Sequence, residues 1–451
     1  MVRARGDTIF ALGTARGRAA IAIIRLSGPG CRDACRALCG APPPPPRRAA
    51  LRRLRDASTG EVLDHGLVLW FPREASTTGE DVLELQVHGG RAVADSLLAV
   101  LAGLPGLRPA EPGEFSRRAF VNGRMDLTAA EGLADLIEAE TRAQARQALR
   151  QLDGELGRLY DCWRGALVCA LARLEAEIDF AAEKDVPDDL LREVRPGIER
   201  VFAEIEAHLA DERRGERLRD GLSVAVMGAP NAGKSSLVNR LARRDVAIVT
   251  ETPGTTRDVL EVPLDIAGLP VTVLDTAGLR EVAEAVEAEG VRRARARAES
   301  ADLRLALFDG ALWPELDAET LALIDDASLI VVNKSDLDRV PAEPSVAGRV
   351  ARRLSCRTGE GFDALLEALG EEAAERLTSH GGVALTRGRH RAAVRATAEA
   401  LMRFCQAPDD AELALLAEDL RLAARSLGTI TGRVTVDDLL DRIFSQFCIG
   451  K

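Results

Sequence analysis

Lysine is nearly missing from this chain. Of 60 basic residues only four are lysine, Lys184, Lys234, Lys334 and Lys451. Arginine fills the generic cationic positions, so a retained lysine points to a site that needs a compact ammonium rather than a planar fork. Also absent is any apolar run long enough to span a membrane, and the opening Met1-Val-Arg-Ala-Arg-Gly-Asp7 lacks the apolar stretch of a signal peptide. The expectation is a cytoplasmic protein without membrane association. Eight cysteines lie scattered rather than framed as a disulfide scaffold, which suits reduced thiols. Cys31, Cys35 and Cys39 can share one helix face, but no histidine or fourth cysteine stands close enough to suggest zinc, so packing is expected. The net charge is −11, so a nucleic acid would need a local basic patch. The dense run Arg292, Arg293, Arg295 and Arg297 offers a contact for nucleic acid but reads first as a solvated helix face. No internal repeat is visible, and 451 residues, 46% apolar, suggest two or three domains.

The hydrophobic period changes along the chain. Residues 1 to 122 carry short β-type runs, Ala20–Arg25 and Gly66–Phe71, and an alternating stretch Asp81–Val87, which suggests an α+β domain. The prolines from Pro42 to Pro46 read as a stiff surface loop. Thr128-Ala-Ala-Glu131 has the form of a capping box. Beyond it, apolar residues from Leu149 to Ile178 step by three or four, predicting one long amphipathic helix. A further helix is expected over about 194–218, an alternating β/α region over 221–376, and helices again over 377–451, with Thr435-Val-Asp-Asp438 as a cap. The two helical blocks, 123–220 and 377–451, would form one discontinuous domain around the α/β insert.

That insert carries four ordered motifs. Strand Ser223–Met227 leads into Gly228-Ala-Pro-Asn-Ala-Gly-Lys-Ser235 and then a helix, the strand-loop-helix setting of a phosphate loop. Its glycines turn backbone N–H groups toward phosphates at a helix N-terminus. Lys234 would reach the β- and γ-phosphates, and Ser235 would hold Mg²⁺. Asn231, Ala232, Gly233 and Ser236 complete the loop. Asp275-Thr276-Ala277-Gly278 follows an apolar strand; its Asp would anchor Mg²⁺ through water, and the Gly278 N–H would sense the γ-phosphate. In Asn333-Lys334-Ser335-Asp336 the carboxylate accepts from both N–H groups on the guanine edge, whereas adenine offers an acceptor there. Lys334 would lie along the base and Asn333 brace the loop. Ser355-Cys356-Arg357 would place a backbone N–H on the guanine carbonyl. Thr256, in Gly254-Thr-Thr-Arg-Asp258, is the candidate switch ligand of Mg²⁺. These motifs predict GTP binding and hydrolysis. Leu279 stands where Ras-like enzymes carry the water-orienting glutamine. Glu281, Glu284, Glu287 and Glu289 are the alternatives for that task.

With these motifs, Thr78-Gly-Glu-Asp-Val-Leu-Glu84, Glu111-Pro-Gly-Glu-Phe-Ser116 and the ending Phe447-Cys-Ile-Gly-Lys451, the chain resembles the MnmE (TrmE) family of tRNA-modification GTPases over essentially its whole length. The resemblance implies an N-terminal α+β domain (1–122) that binds tetrahydrofolate and dimerises. It further implies a discontinuous helical domain (123–220 and 377–451) and an inserted Ras-like P-loop G domain (221–376). It implies activation by K⁺, with Asn231, Thr250, Thr252 and Thr255 as ligands, Thr250 and Thr255 also beside GTP, and Glu287 orienting the catalytic water. The family forms homodimers and works with an FAD-dependent partner, MnmG (GidA), in a heterotetramer. Together they add an aminomethyl or carboxymethylaminomethyl group to C5 of the wobble uridine of certain tRNAs. The one-carbon unit comes from 5-formyl- or methylene-tetrahydrofolate. Arg25, Glu84, Arg124 and Lys451 align with folate-contacting positions, and Cys448 falls near that site as a candidate catalytic thiol. Two departures stand out: Arg124 replaces a common lysine, and Ala15–Ala20 replaces a Pro- and Gly-rich turn. The competing reading is a ribosome-assembly GTPase that binds RNA without modifying it.

Overall fold

A computed structural model describes residues 6–180, 190–211, 213–244, 246–248, 261–275, 301–377, 383–434, 437–445, 447–448 and 450. The chain divides into two compact units, one of Met1–Ala134, Gln151–Val168 and Ala424–Lys451, the other of Asp135–Arg150 and Cys169–Ala423.

The first unit is built on a six-stranded sheet. Its strands are β1 (Thr8–Leu12), β2 (Ile21–Ser27), β3 (Ala50–Arg55), β4 (Val62–Phe71), β5 (Val82–His88) and β6 (Leu107–Pro109), in the order β3-β4-β5-β2-β1-β6. Period-two alternation gives the sheet an apolar face, with Ile24, Leu26, Leu83 and Leu85 turned to one side. Helices α1 (Cys31–Cys39) and α2 (Arg91–Ala102) cover that face through Cys31, Cys35, Leu38, Leu97 and Leu101. Cys31 and Cys35 are therefore core residues and Cys39 is half-buried against them, the packing role expected of all three.

Helix α3 (Glu114–Val121) is tied to the sheet by a guanidinium network that the motifs did not announce. Arg118 donates to Asp7 Oδ1 (2.9 Å), Glu80 Oε2 (3.0 Å) and Glu114 Oε1 (3.1 Å). Arg108 donates to Asp7 Oδ2 at 2.6 Å and to Glu114 Oε1 at 2.5 Å. Glu80 and Glu114, both inside resemblance motifs, thus brace the domain.

The helical segments differ from the expectation in three places. Helix α4 spans Leu127–Glu138 and is capped by Asp126, whose Oδ1 accepts from the Ala129 N–H (2.7 Å) and the Thr128 hydroxyl (2.7 Å). Thr128 lies inside the helix, and Asp126, the residue before Leu127, is the one whose side chain takes up an open N–H of the first turn. The long helix expected from Leu149 to Ile178 is two, α5 (Arg142–Leu152) and α6 (Glu155–Phe180), broken at Gly154 with φ +79°. A left-handed residue ends a helix whatever the apolar period on either side. Likewise the helix expected over 194–218 is α7 (Leu190–Leu209) and α8 (Arg214–Asp220), separated where Arg213 adopts φ +63°.

The second unit contains the second sheet. Its strands run β12-β11-β10-β7-β9-β8, with β7 (Leu222–Met227), β8 (Glu261–Ile266), β9 (Leu269–Asp275), β10 (Leu303–Asp309), β11 (Ser328–Asn333) and β12 (Arg352–Arg353). All neighbours are parallel except β8 on β9. Central strands covered on both faces read as continuous apolar runs, and β7 and β11 are buried over nearly their whole length. Helix α9 (Lys234–Ala242) and helix Phe362–Leu377 pack on one face. Helices from before and after this insert meet in the same unit: Arg195 of α7 donates to the carbonyls of Cys405 (2.8 Å) and Ala407 (2.8 Å), beside helix Gly388–Gln406. No described helix is long and apolar enough to cross a membrane.

Candidate nucleotide site

The site forms where the parallel strands end. After the buried strand β7 the chain turns through Gly228, where a Cβ would strike the Leu307 carbonyl, and through Asn231 with φ +64°. Gly233, at φ +102°, has no room for a side chain because Asn333 Nδ2 occupies that space. Lys234 opens α9 and folds back across the loop, its Nζ donating to the carbonyls of Gly228 (2.7 Å) and Ala229 (2.8 Å). The ammonium thus sits over the loop that would cradle phosphates, and Ser235 and Ser236 lie exposed in the first turn behind it.

Asn333 is the joint of the site. It is buried, donates from Nδ2 to the Ala232 carbonyl (2.7 Å), and accepts at Oδ1 from the Cys356 N–H (3.0 Å). One side chain therefore ties the phosphate loop to the base loop. Lys334 adopts φ +62° and pairs with Asp309 Oδ2 at 2.6 Å. Asp336 accepts from the Ser355 hydroxyl at 2.5 Å and pairs with Arg357 at 2.5 Å. The Ser355 bond, reinforced by Arg357, holds its carboxyl below the usual range, so it is an anion ready to accept from a guanine edge. Cys356 is different: burial pushes its thiol up to about 11, which makes it a neutral packing group.

Arg240 went unnoticed in the sequence. From α9 it donates to the carbonyls of Cys356 (2.9 Å), Arg357 (3.3 Å) and Thr358 (3.2 Å), and its guanidinium lies 5.2 Å from the Phe362 ring centroid. In a chain that uses arginine almost everywhere, residue type gave no signal. Asp309 was missed for a similar reason, as its partner is known only from the fold.

The remaining sequence candidates divide by location. Asp275 ends β9 beside Val226 of β7. Thr250, Thr252, Thr255, Thr256, Thr276, Ala277, Gly278, Leu279, Glu287 and Lys451 lie outside the described residues. In the first unit, Arg25 and Glu84 stand opposite each other on β2 and β5 and form an ion pair of 2.8 Å. Arg124 donates to the Arg73 carbonyl at 2.7 Å and packs beside Gly79. Cys448 is exposed, and Gly450, with φ +99°, lies against Leu12 and Gly13. Leu12 pairs with Ile24, so the chain's end runs one residue from Arg25.

Comparison with known proteins matches this arrangement to one family. The profile described as the MnmE helical domain matches residues 127–448, and that of the GTP-binding protein TrmE N-terminus matches residues 8–124. The chain belongs to the MnmE family. It is 58% identical over 445 residues to the tRNA modification GTPase MnmE of Paramagnetospirillum magneticum, covering 99% of this chain and 100% of the relative. It is 56% identical over 457 residues to that of Rhodospirillum rubrum, covering 99% of each. Among solved structures, the G domain of the T. maritima FeoB iron transporter is 25% identical over 34% of this chain and 98% of its own, with a TM-score of 0.24. The protein is a GTPase of tRNA modification, and the reading as a ribosome-assembly GTPase is set aside. GTP is its nucleotide and tRNA the molecule on which the family acts.

Proposed function

We propose that this GTPase is potassium-assisted and acts with an FAD-dependent MnmG-type partner. Together they install a carboxymethylaminomethyl or aminomethyl group at C5 of the wobble uridine, drawing one carbon from a tetrahydrofolate. The observation that carries the nucleotide half is the joint at Asn333, which sets Lys234 and Asp336 in one frame for phosphate and guanine. Ser235 and Thr256 would hold Mg²⁺, and Asp275 would steady it through water; the ion neutralises phosphate charge. Asn231, exposed at the loop's tip, would offer K⁺ an oxygen together with Thr250, Thr252 and Thr255. Such a cation stabilises charge developing on the leaving group. Glu287 would orient the attacking water in place of Leu279.

For the folate half, the Arg25–Glu84 pair offers a donor and an acceptor side by side, a set that suits the amide and amine edge of a pterin. Arg124, Lys451 and Cys448 complete the proposed site, and the end of the chain beside Leu12 supports their grouping. The domain limits 1–122, 123–220, 221–376 and 377–451 and the homodimer belong to the same proposal.

Nucleoside mass spectrometry of tRNA from cells lacking this protein tests the reading. Loss of the C5 group at the wobble uridine is expected, and its full retention would overturn the assignment. The potassium part is checked by turnover in matched salts. GTP hydrolysis should be at least tenfold faster in KCl than in NaCl, whereas equal rates would remove Asn231 from the cation site.

A further inference from the structure

The first unit carries a basic strip that the nucleotide and folate sites do not use. Between Arg32 and Arg55 the sequence has seven arginines (Arg32, Arg36, Arg47, Arg48, Arg52, Arg53, Arg55) and one carboxylate, Asp33, in a chain whose net charge is −11. The fold sorts these seven. Arg32 stacks over Trp70 at 4.7 Å and approaches Asp81 at 3.5 Å, and Arg36 pairs with Asp33 at 3.4 Å. Arg52 shares the strand face of buried Leu54, the side covered by α1. That leaves Arg47, Arg48, Arg53 and Arg55, all exposed on strand β3 or the loop that leads into it. None of these four has an ion pair among the described residues; Arg47 makes one long bond, 3.5 Å, to the Ala75 carbonyl.

Strand β3 is the outer edge of its sheet, so the four guanidinium groups line a rim rather than a covered surface. Across the ladder, Arg53 faces His65 and Arg55 faces Val62. Asp64, the β4 carboxylate of this hairpin, is engaged by the His88 ring (2.8 Å) and the His88 N–H (2.8 Å). Of the two turn carboxylates, Asp56 accepts from the Ser58 N–H (2.8 Å) and hydroxyl (2.7 Å), and Glu61 is exposed and in no ion pair among the described residues. Charge on an edge strand often serves only to prevent sheet-to-sheet pairing. Here the register already shifts at Leu54/Arg55, and such an irregularity blunts an edge by itself. Four unpaired cations exceed that need. Because arginine replaces lysine throughout, the choice of arginine carries no weight; the uncompensated charge and its exposure do.

We propose that the β3 rim, Arg47, Arg48, Arg53 and Arg55, is a docking surface for the phosphate backbone of tRNA. This rests on the family's action on tRNA, and the row of uncompensated positive charge complements the dense, regular phosphate charge of a nucleic acid. The contacts are to phosphates, so they hold the RNA without reading its sequence.

The test is binding of a fluorescently labelled tRNA transcript to the full-length protein across a salt series. Each double variant, Arg53→Ala/Arg55→Ala and Arg47→Ala/Arg48→Ala, should weaken binding about tenfold near 0.1 M salt and lower the slope of log affinity against log salt by about 2. Arg53→Lys/Arg55→Lys should restore both. GDP affinity, GTP hydrolysis and the thermal midpoint should match the parent, which separates lost contacts from lost folding. Unchanged affinity and slope, with the parent binding tRNA, would overturn the strip and leave the tRNA-modification reading intact. A parent that does not bind tRNA would overturn the strip and assign RNA capture to the partner enzyme. A variant that dissociates to a smaller species would assign the rim to contact between copies.

Discussion

At the residue scale, the nucleotide site depends on side chains that hold other side chains. Asn333 bridges the Ala232 carbonyl and the Cys356 N–H, so it belongs to the phosphate loop and the base loop at once. Arg240 reinforces the same link from α9 with three carbonyl acceptors. Truncating it leaves those carbonyls to water and frees the loop that carries Arg357. Arg240→Ala should therefore raise the dissociation constant of GDP about tenfold, the scale of one lost charge-assisted bond. The rate at saturating GTP should stay within about twofold, because Lys234 and the phosphate loop are untouched. Nucleotide titration and single-turnover hydrolysis check this; an unchanged GDP affinity would make Arg240 a surface brace only. Asn333, Lys334 and Asp336 could be singled out in the sequence because the guanine recognition proposed for them needs those types at that spacing. Arg240 and Asp309 were not, since their partners lie 116 and 25 residues away in sequence.

At the element scale, the strands were easier to place than the helix ends. Period-two runs and apolar runs marked β2, β4, β5, β7 and β9 because a strand's side-chain period is written in its own sequence. Helix limits depend on local backbone choices that an apolar period does not record. Gly154 at φ +79° cuts the run from Leu149 to Ile178 into α5 and α6 while the apolar spacing passes through unchanged. Asp126 rather than Thr128 caps α4, although both are good capping types, because only Asp126 precedes the first helical residue. The β3 rim shows the converse. Its charge was present in the sequence, but its place at the sheet edge follows only from the strand order.

At the scale of the whole molecule, the first unit is held by ionised groups as well as by its core. Burial works to raise the carboxyls of Asp7 and Glu114, but hydrogen bonds from Arg108 and Arg118, joined by the charges of both at Asp7 and by the Glu111 N–H and the Arg108 charge at Glu114, outweigh it and hold both below their ordinary range. A carboxylate favoured in the folded state contributes its stability above the unfolded value, near 4, and loses it as pH falls through the lower folded value. Thermal unfolding should thus be insensitive to these groups above about pH 5 and weaken below about pH 4. Arg118→Ala, which leaves Asp7, Glu80 and Glu114 with one fewer partner, should cost about 3 kcal/mol at pH 7 and flatten the acid limb. Calorimetry between pH 3 and pH 7 on parent and variant measures both effects. An equally steep acid limb in the variant would show that other carboxylates set it.

The sequence by itself determined the family and singled out the residues proposed for the nucleotide site. Phosphate, Mg²⁺ and guanine each require particular groups at fixed short spacings, and such spacings survive in a one-dimensional record. The tertiary structure decided what joins those groups. Asn333 on Cys356 and Ala232, Arg240 on the base loop, Arg118 on three carboxylates and the end of the chain beside Leu12 are all contacts between residues far apart in sequence. Their partners are chosen by strand order and helix packing, and no local pattern encodes those.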